Sequence, residues 1–98
     1  MLASVQPLLA EHAELQTKLS DPALHGNPAL AKKLNRRYAE LSAIVAAYNQ
    51  VLAYTEDLKA AKELAKEDEM FAEEATLNEE RLTAAQEKLR RQIGRAHV

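Results

Sequence analysis

The stretch from Asn27 to Ala65 reads NPALAKKLNRRYAELSAIVAAYNQVLAYTEDLKAAKELA, and it decides the fold. Asn is favoured just before a helix, because its side chain accepts from a backbone N–H that has no partner in the first turn. Pro at the next position has its φ preset and gives up no needed donor. After Pro28, no Gly or Pro occurs until Gly94. Leu30, Leu34, Tyr38, Leu41, Val45, Tyr48 and Leu52 then follow at spacings of mostly three and four. That spacing predicts one apolar stripe along a helix. Ile44, Val51 and Leu58 form a second row beside it. A helix of about 38 residues, at ~1.5 Å per residue, is about 57 Å long. One short partner cannot cover it, so the rest of the chain is expected to supply two.

Ahead of this stretch, Val5, Leu8, His12, Leu15 and Leu19 recur at helical spacing and predict a first helix from Leu2 to Leu19. Ser4 is its candidate N-cap, with Pro7 in the first turn. Ser20 to Pro28 carries Asp21-Pro22, Gly26 and Asn27-Pro28, a dense set of turn signals. A short link of this kind joins antiparallel helices, with room for one helical turn starting at Asp21-Pro22 and ending at Gly26.

A third helix is expected from about Glu69 to Arg91, with the stripe Phe71, Ala75, Asn78, Leu82, Ala85 and Leu89. No Gly or Pro separates it from the central stretch. Phase does: the central stripe, carried forward by sevens, lands on Lys59, Lys62, Lys66 and Glu69 rather than on Phe71 and Ala75. A straight helix cannot turn both stripes to one partner. The break is therefore placed near Lys66–Asp68, with Asp68 as N-cap, against the alternative of one continuous helix with a stutter. Glutamates fill the first half of the third helix and Arg81, Lys88, Arg90 and Arg91 the second, an order that suits the helix macrodipole. The predicted fold class is all-α: a three-helix antiparallel bundle, coiled-coil-like, with a long central helix.

Composition agrees. Only four residues are aromatic and much of the 47% hydrophobic share is Ala, which suits thin helix-on-helix packing. A net charge of −2 gives no general pull toward nucleic acid. The absence of Cys removes disulfides, thiolate chemistry and zinc knuckles. No apolar run is long enough to span a bilayer, and the first eleven residues lack the basic start of a secretory signal.

Catalytic and metal patterns are missing. Gly stands only at positions 26 and 94, so a Gly-rich phosphate loop cannot form. His12, His25 and His97 lie in three different settings, with no helical ligand spacing between them. His12 reads as an edge histidine on an apolar stripe, with a metal or pH role as its sharper alternative. No enzyme activity, cofactor, metal or small-molecule substrate is expected. Lys32, Lys33, Arg36 and Arg37 form a basic cluster at the start of the central helix. It suits contact with RNA phosphates or an acidic partner, weighed against a merely solvated helix face. From Glu56 to Glu80 the chain is strongly acidic, a pattern that reads first as a hydrated tip.

Three blocks carry a family resemblance: Leu8 to Leu15 with Leu19-Ser20-Asp21-Pro22; Leu34 to Leu41 with Ile44-Val45 and Tyr48; and Asp57-Leu58, Ala61, Glu63-Leu64 with Glu67 to Met70. Together and in order they resemble the N-terminal helical domain of the bacterial peptide chain release factor 1 family, most of all its Ala-rich actinobacterial members. The resemblance covers Met1 to about Arg91 and implies a part in translation termination at UAA and UAG, in the cytoplasm. The implied partners are the ribosome, through stalk-base proteins and rRNA, and a second-class release factor, with no membrane. The candidate contact residues remain the basic cluster Lys32, Lys33, Arg36 and Arg37 read above from the sequence itself. The Gly-Gly-Gln loop and the Pro-x-Thr tripeptide of that family have no counterpart here, so positioning and ribosome contact are the expected roles. Where the family often has Asp-Pro, this chain has Asp68-Glu69.

The domain is expected to span residues 1–92. Residues 93–98, Ile-Gly-Arg-Ala-His-Val, break the stripe and can be encoded by a common sequencing-adaptor string, so they are expected to be a non-native tail. The competing reading is a self-associating coiled-coil adaptor unrelated to translation, which would pair an exposed seam across two chains.

Overall fold

A computed structural model describes residues 2–96 of the chain. Those residues form three α-helices and no strand: α1 (Leu2–Leu19), α2 (Pro28–Glu67) and α3 (Ala72–Ala96). The all-α class and the long central helix are as the spacing predicts. His97 and the last residue of the expected tail lie outside the described residues.

The chain punctuates its helices with side-chain caps. Asp21 accepts from the backbone N–H of Ala23 at 2.9 Å and starts a 3-10 turn over Pro22–Gly26. Asn27 Oδ1 accepts from Leu30 N–H at 3.2 Å and opens α2, with Pro28 as its first residue. At the other end, Asp68 accepts from Met70 N–H at 2.9 Å and starts a second 3-10 turn over Glu69–Phe71. Asp68 has extended backbone angles that no α-helix accommodates. The phase jump in the apolar pattern thus marks a true break, and the continuous-helix alternative is set aside.

Two compact units are built on these helices. One takes in the chain up to Val45 and from Gln92 on; the other is Ala46–Arg91. The first unit buries Val5, Leu8 and Leu15 of α1, Leu41 and Ile44 of α2, and Ile93 and Ala96 of α3. Its contacts between α1 and α2 are symmetric about the Pro22–Gly26 turn, as in an antiparallel hairpin: Glu11 meets Arg37, and His12 meets Tyr38 and Ser42. The second unit buries Ala47, Val51 and Ala61 of α2 with Asn78, Ala85 and Leu89 of α3. Each fully buried Leu or Ile contributes on the order of 1.5–3 kcal/mol.

Four details of the sequence reading are corrected. The stripe Leu30 to Leu52 is not uniformly core: Leu30 is 42% and Leu52 43% exposed, while Ile44 and Val51 of the second row are buried. Leu30 lines a shallow surface hollow with Leu24 and Leu34 instead. Ser4 is not a cap, because α1 already runs from Leu2 and places Ser4 and Pro7 inside the helix. The third helix starts one turn later than Glu69 and continues past Arg91. Ile93 and Ala96 carry the Leu89 spacing forward and are buried, so the stripe does not stop at residue 92.

Candidate functional site: the basic start of the central helix

Lys32, Lys33, Arg36 and Arg37 occupy the second and third turns of α2, in the first unit. The first turn of α2 holds no acid. Cations near a helix N-terminus gain nothing from the macrodipole. Helix stability therefore does not explain why the chain places four of them here.

The structure divides the four. Arg37 is engaged by partners within its own chain. Its Nε donates to Glu11 Oε2 at 2.6 Å and its Nη2 donates to Glu11 Oε1 at 2.9 Å, a bidentate fork across to α1. Nη1 donates to the Ala96 carbonyl of α3 at 3.0 Å and, more weakly, to Glu40 Oε2 at 3.3 Å. One guanidinium thus ties together three helices. Hydrogen bonding from Arg37 holds the Glu11 carboxyl below the usual carboxylate range, against some desolvation. Hydrogen bonding to Glu11 reinforces the Arg37 charge in the same way. Beside this fork, His12 stacks on Tyr38 with ring centroids 4.6 Å apart, and His12 Nε2 lies 3.1 Å from Ser42 Oγ. His12 is half-buried, as an edge histidine should be. Among the described residues no group of three or more His, Cys, Asp or Glu could hold a metal.

Lys32, Lys33 and Arg36 are exposed, and no carboxylate lies within ion-pair distance of them among the described residues. They offer three solvated cations from one and a half turns of a rigid helix. Such a group suits a repeating anion, whereas Arg37 is already paired with Glu11. Sequence reasoning missed Glu11 as the partner of Arg37. The available signal was its position beside His12 on the margin of the α1 stripe.

The chain matches the PCRF domain family over residues 8–96. Peptide chain release factor 1 of Renibacterium salmoninarum is 59% identical over 91 residues, which cover 93% of this chain and 25% of that protein. The protein of that name from Leifsonia xyli subsp. xyli is 56% identical over the same shares. The one from Mycobacterium leprae is 48% identical over 79 residues, covering 81% of this chain and 22% of that protein. The chain spans about a quarter of the length of these curated relatives. No solved structure matches it. No helix among the described residues is long and apolar enough to cross a membrane. On the match over residues 8–96, the chain belongs to the PCRF domain family.

Proposed function

We propose that this chain is the N-terminal helical domain of a release factor 1 that acts in the cytoplasm at UAA and UAG codons on the ribosome, and that the domain positions the factor and catalyses nothing itself. Its role is contact: with rRNA phosphates through Lys32, Lys33 and Arg36, and with stalk-base proteins and a second-class release factor. Three unpaired, exposed cations on a helix start that has no use for them carry this reading. Arg37 serves the same role indirectly, by fixing the helix that presents the other three. Residues 93–98 belong to the proposal as an adaptor-derived tail; encoding DNA that departs from the adaptor string at several codons would remove that part.

The test is filter binding of the chain to 70S ribosomes at several salt concentrations. Lys32→Glu/Lys33→Glu/Arg36→Glu should weaken binding at least tenfold and flatten the salt dependence, at unchanged thermal stability. Each lost phosphate contact should remove about 0.7–0.9 from the slope of log K against log salt. Unchanged affinity and slope would refute the phosphate contact.

A further inference from the structure

In the first unit, Leu30, Leu34, Arg37 and Leu41 share one face of α2, at spacings of four, three and four. α3 reaches that face at Arg37, whose Nη1 donates to the Ala96 carbonyl at 3.0 Å. α1 meets the same level through the Glu11 fork. From Arg37 back to the Pro22–Gly26 turn, the α1–α2 pair runs on for about two turns, ~10 Å. Over that distance the face changes: Leu41 is fully buried, Leu34 is half-buried and Leu30 is 42% exposed. Leu24 and Lys18 join Leu30 and Leu34 around a hollow of about 300 Å³. The groove between α1 and α2 thus receives α3 at one level and stands open at the next.

Charge selects the occupant. Residues 18–37 hold Lys18, Lys32, Lys33, Arg36 and Arg37 against the single carboxylate of Asp21. That carboxylate already accepts from Ala23 N–H, and Arg37 is committed to Glu11. The other four cations have no ion-pair partner among the described residues. The apolar hollow therefore lies in a positive field, which attracts acidic partners and repels basic ones. RNA answers the charge but not the leucines: a phosphate backbone has nothing to bury against them, and no aromatic side chain lines the hollow to stack a base. An amphipathic helix with acids beside its apolar stripe answers both, laying its apolar side chains into a groove at three- and four-residue spacing.

We propose that this open end of the α1–α2 groove docks an acidic amphipathic helix of a partner protein, its apolar stripe on Leu24, Leu30 and Leu34 and its carboxylates in the field of the surrounding cations, Lys18 first. The three leucines and Lys18 take no part in the phosphate contact proposed above, so the two readings fail separately.

A fluorescein-labelled helical peptide of glutamate, alanine and leucine, its leucines three and four residues apart, serves as probe. Binding is read by polarisation and by methyl NMR of the ¹³C-labelled chain. The same peptide with lysine for glutamate, the same peptide with alanine for leucine, and poly(U) are comparators. The acidic peptide should bind and shift the Leu24, Leu30 and Leu34 methyls. Both altered peptides should bind at least fivefold more weakly, and poly(U) should leave those methyls unmoved. Leu30→Ala, at a part-exposed position, should weaken binding of the acidic peptide at least fivefold and leave poly(U) affinity unchanged. Lys18→Glu should also weaken peptide binding severalfold, and decides the matter should Leu30→Ala unfold. Acidic-peptide affinity unchanged in either variant, equal affinity for the lysine peptide, or equal methyl shifts with poly(U) would overturn the proposal.

Discussion

Arg36 and Arg37 are neighbours in sequence and opposites in role. Hydrogen bonds to charged groups contribute roughly 1.5–3 kcal/mol when protected from water. The Arg37 and Glu11 side chains are 30% and 37% exposed, so screening lowers the worth of their pair. Arg37→Ala should therefore cost about 1–2 kcal/mol in urea unfolding, whereas Lys33→Ala should stay within about 0.5 kcal/mol. A double-mutant cycle with Glu11→Ala should show coupling; simple additivity would contradict the fork. Acid should act through the same pair. The folded state lowers the Glu11 carboxyl below its ordinary value of 4.5, so the contribution is fully present above that pH. It is lost as pH falls through the lower folded value, and Glu11→Gln should blunt this part of the acid transition. The cluster itself was legible in the sequence because its members are adjacent. The commitment of Arg37 was not, because its partner lies 26 residues away and meets it only once α1 has folded back.

The helices are bounded by single residues whose worth can be measured. Asp68→Ala removes the side-chain acceptor at the α2–α3 break and should cost about 1 kcal/mol, read as a lowered urea midpoint. No change would mean that the break is set by packing alone. Gly94 lies inside α3, and a Cβ built there meets nothing within 4 Å. Gly94→Ala should therefore stabilise the chain by about 0.5–1 kcal/mol, chiefly by reducing the freedom of the unfolded chain. The break at Asp68 was readable from phase alone, since a heptad stripe that lands on Lys and Glu has lost its partner. The last turns of α3 were not. Ile93 is separated from Leu89 by charged and polar residues, and a Gly follows it, which is an ordinary stop signal. Burial of Ile93 and Ala96 overrides that signal.

For the molecule as a whole, the sequence announced the class and misplaced the middle of the core. Leu30 and Leu52 belong to a regular stripe, but regular spacing describes a helix face and not what covers it. The residues of α2 that do become buried join Leu41 of the first row to Ile44 and Val51 of the second and to two alanines, Ala47 and Ala61, whose small side chains allow close approach without announcing themselves as core. Because the apolar residues of α1, α2 and α3 close on one another within each unit, sedimentation equilibrium should find a monomer; a stable dimer would favour the self-pairing adaptor. Leu41 is fully buried on the central helix, the same helix that carries the basic cluster. The direct measurement is far-ultraviolet circular dichroism of Leu41→Asp at 25 °C and through a thermal ramp. A buried, unpaired carboxylate should cost several kcal/mol and abolish most of the helical signal before heating begins. Helicity and a melting temperature equal to those of the parent chain would contradict the account.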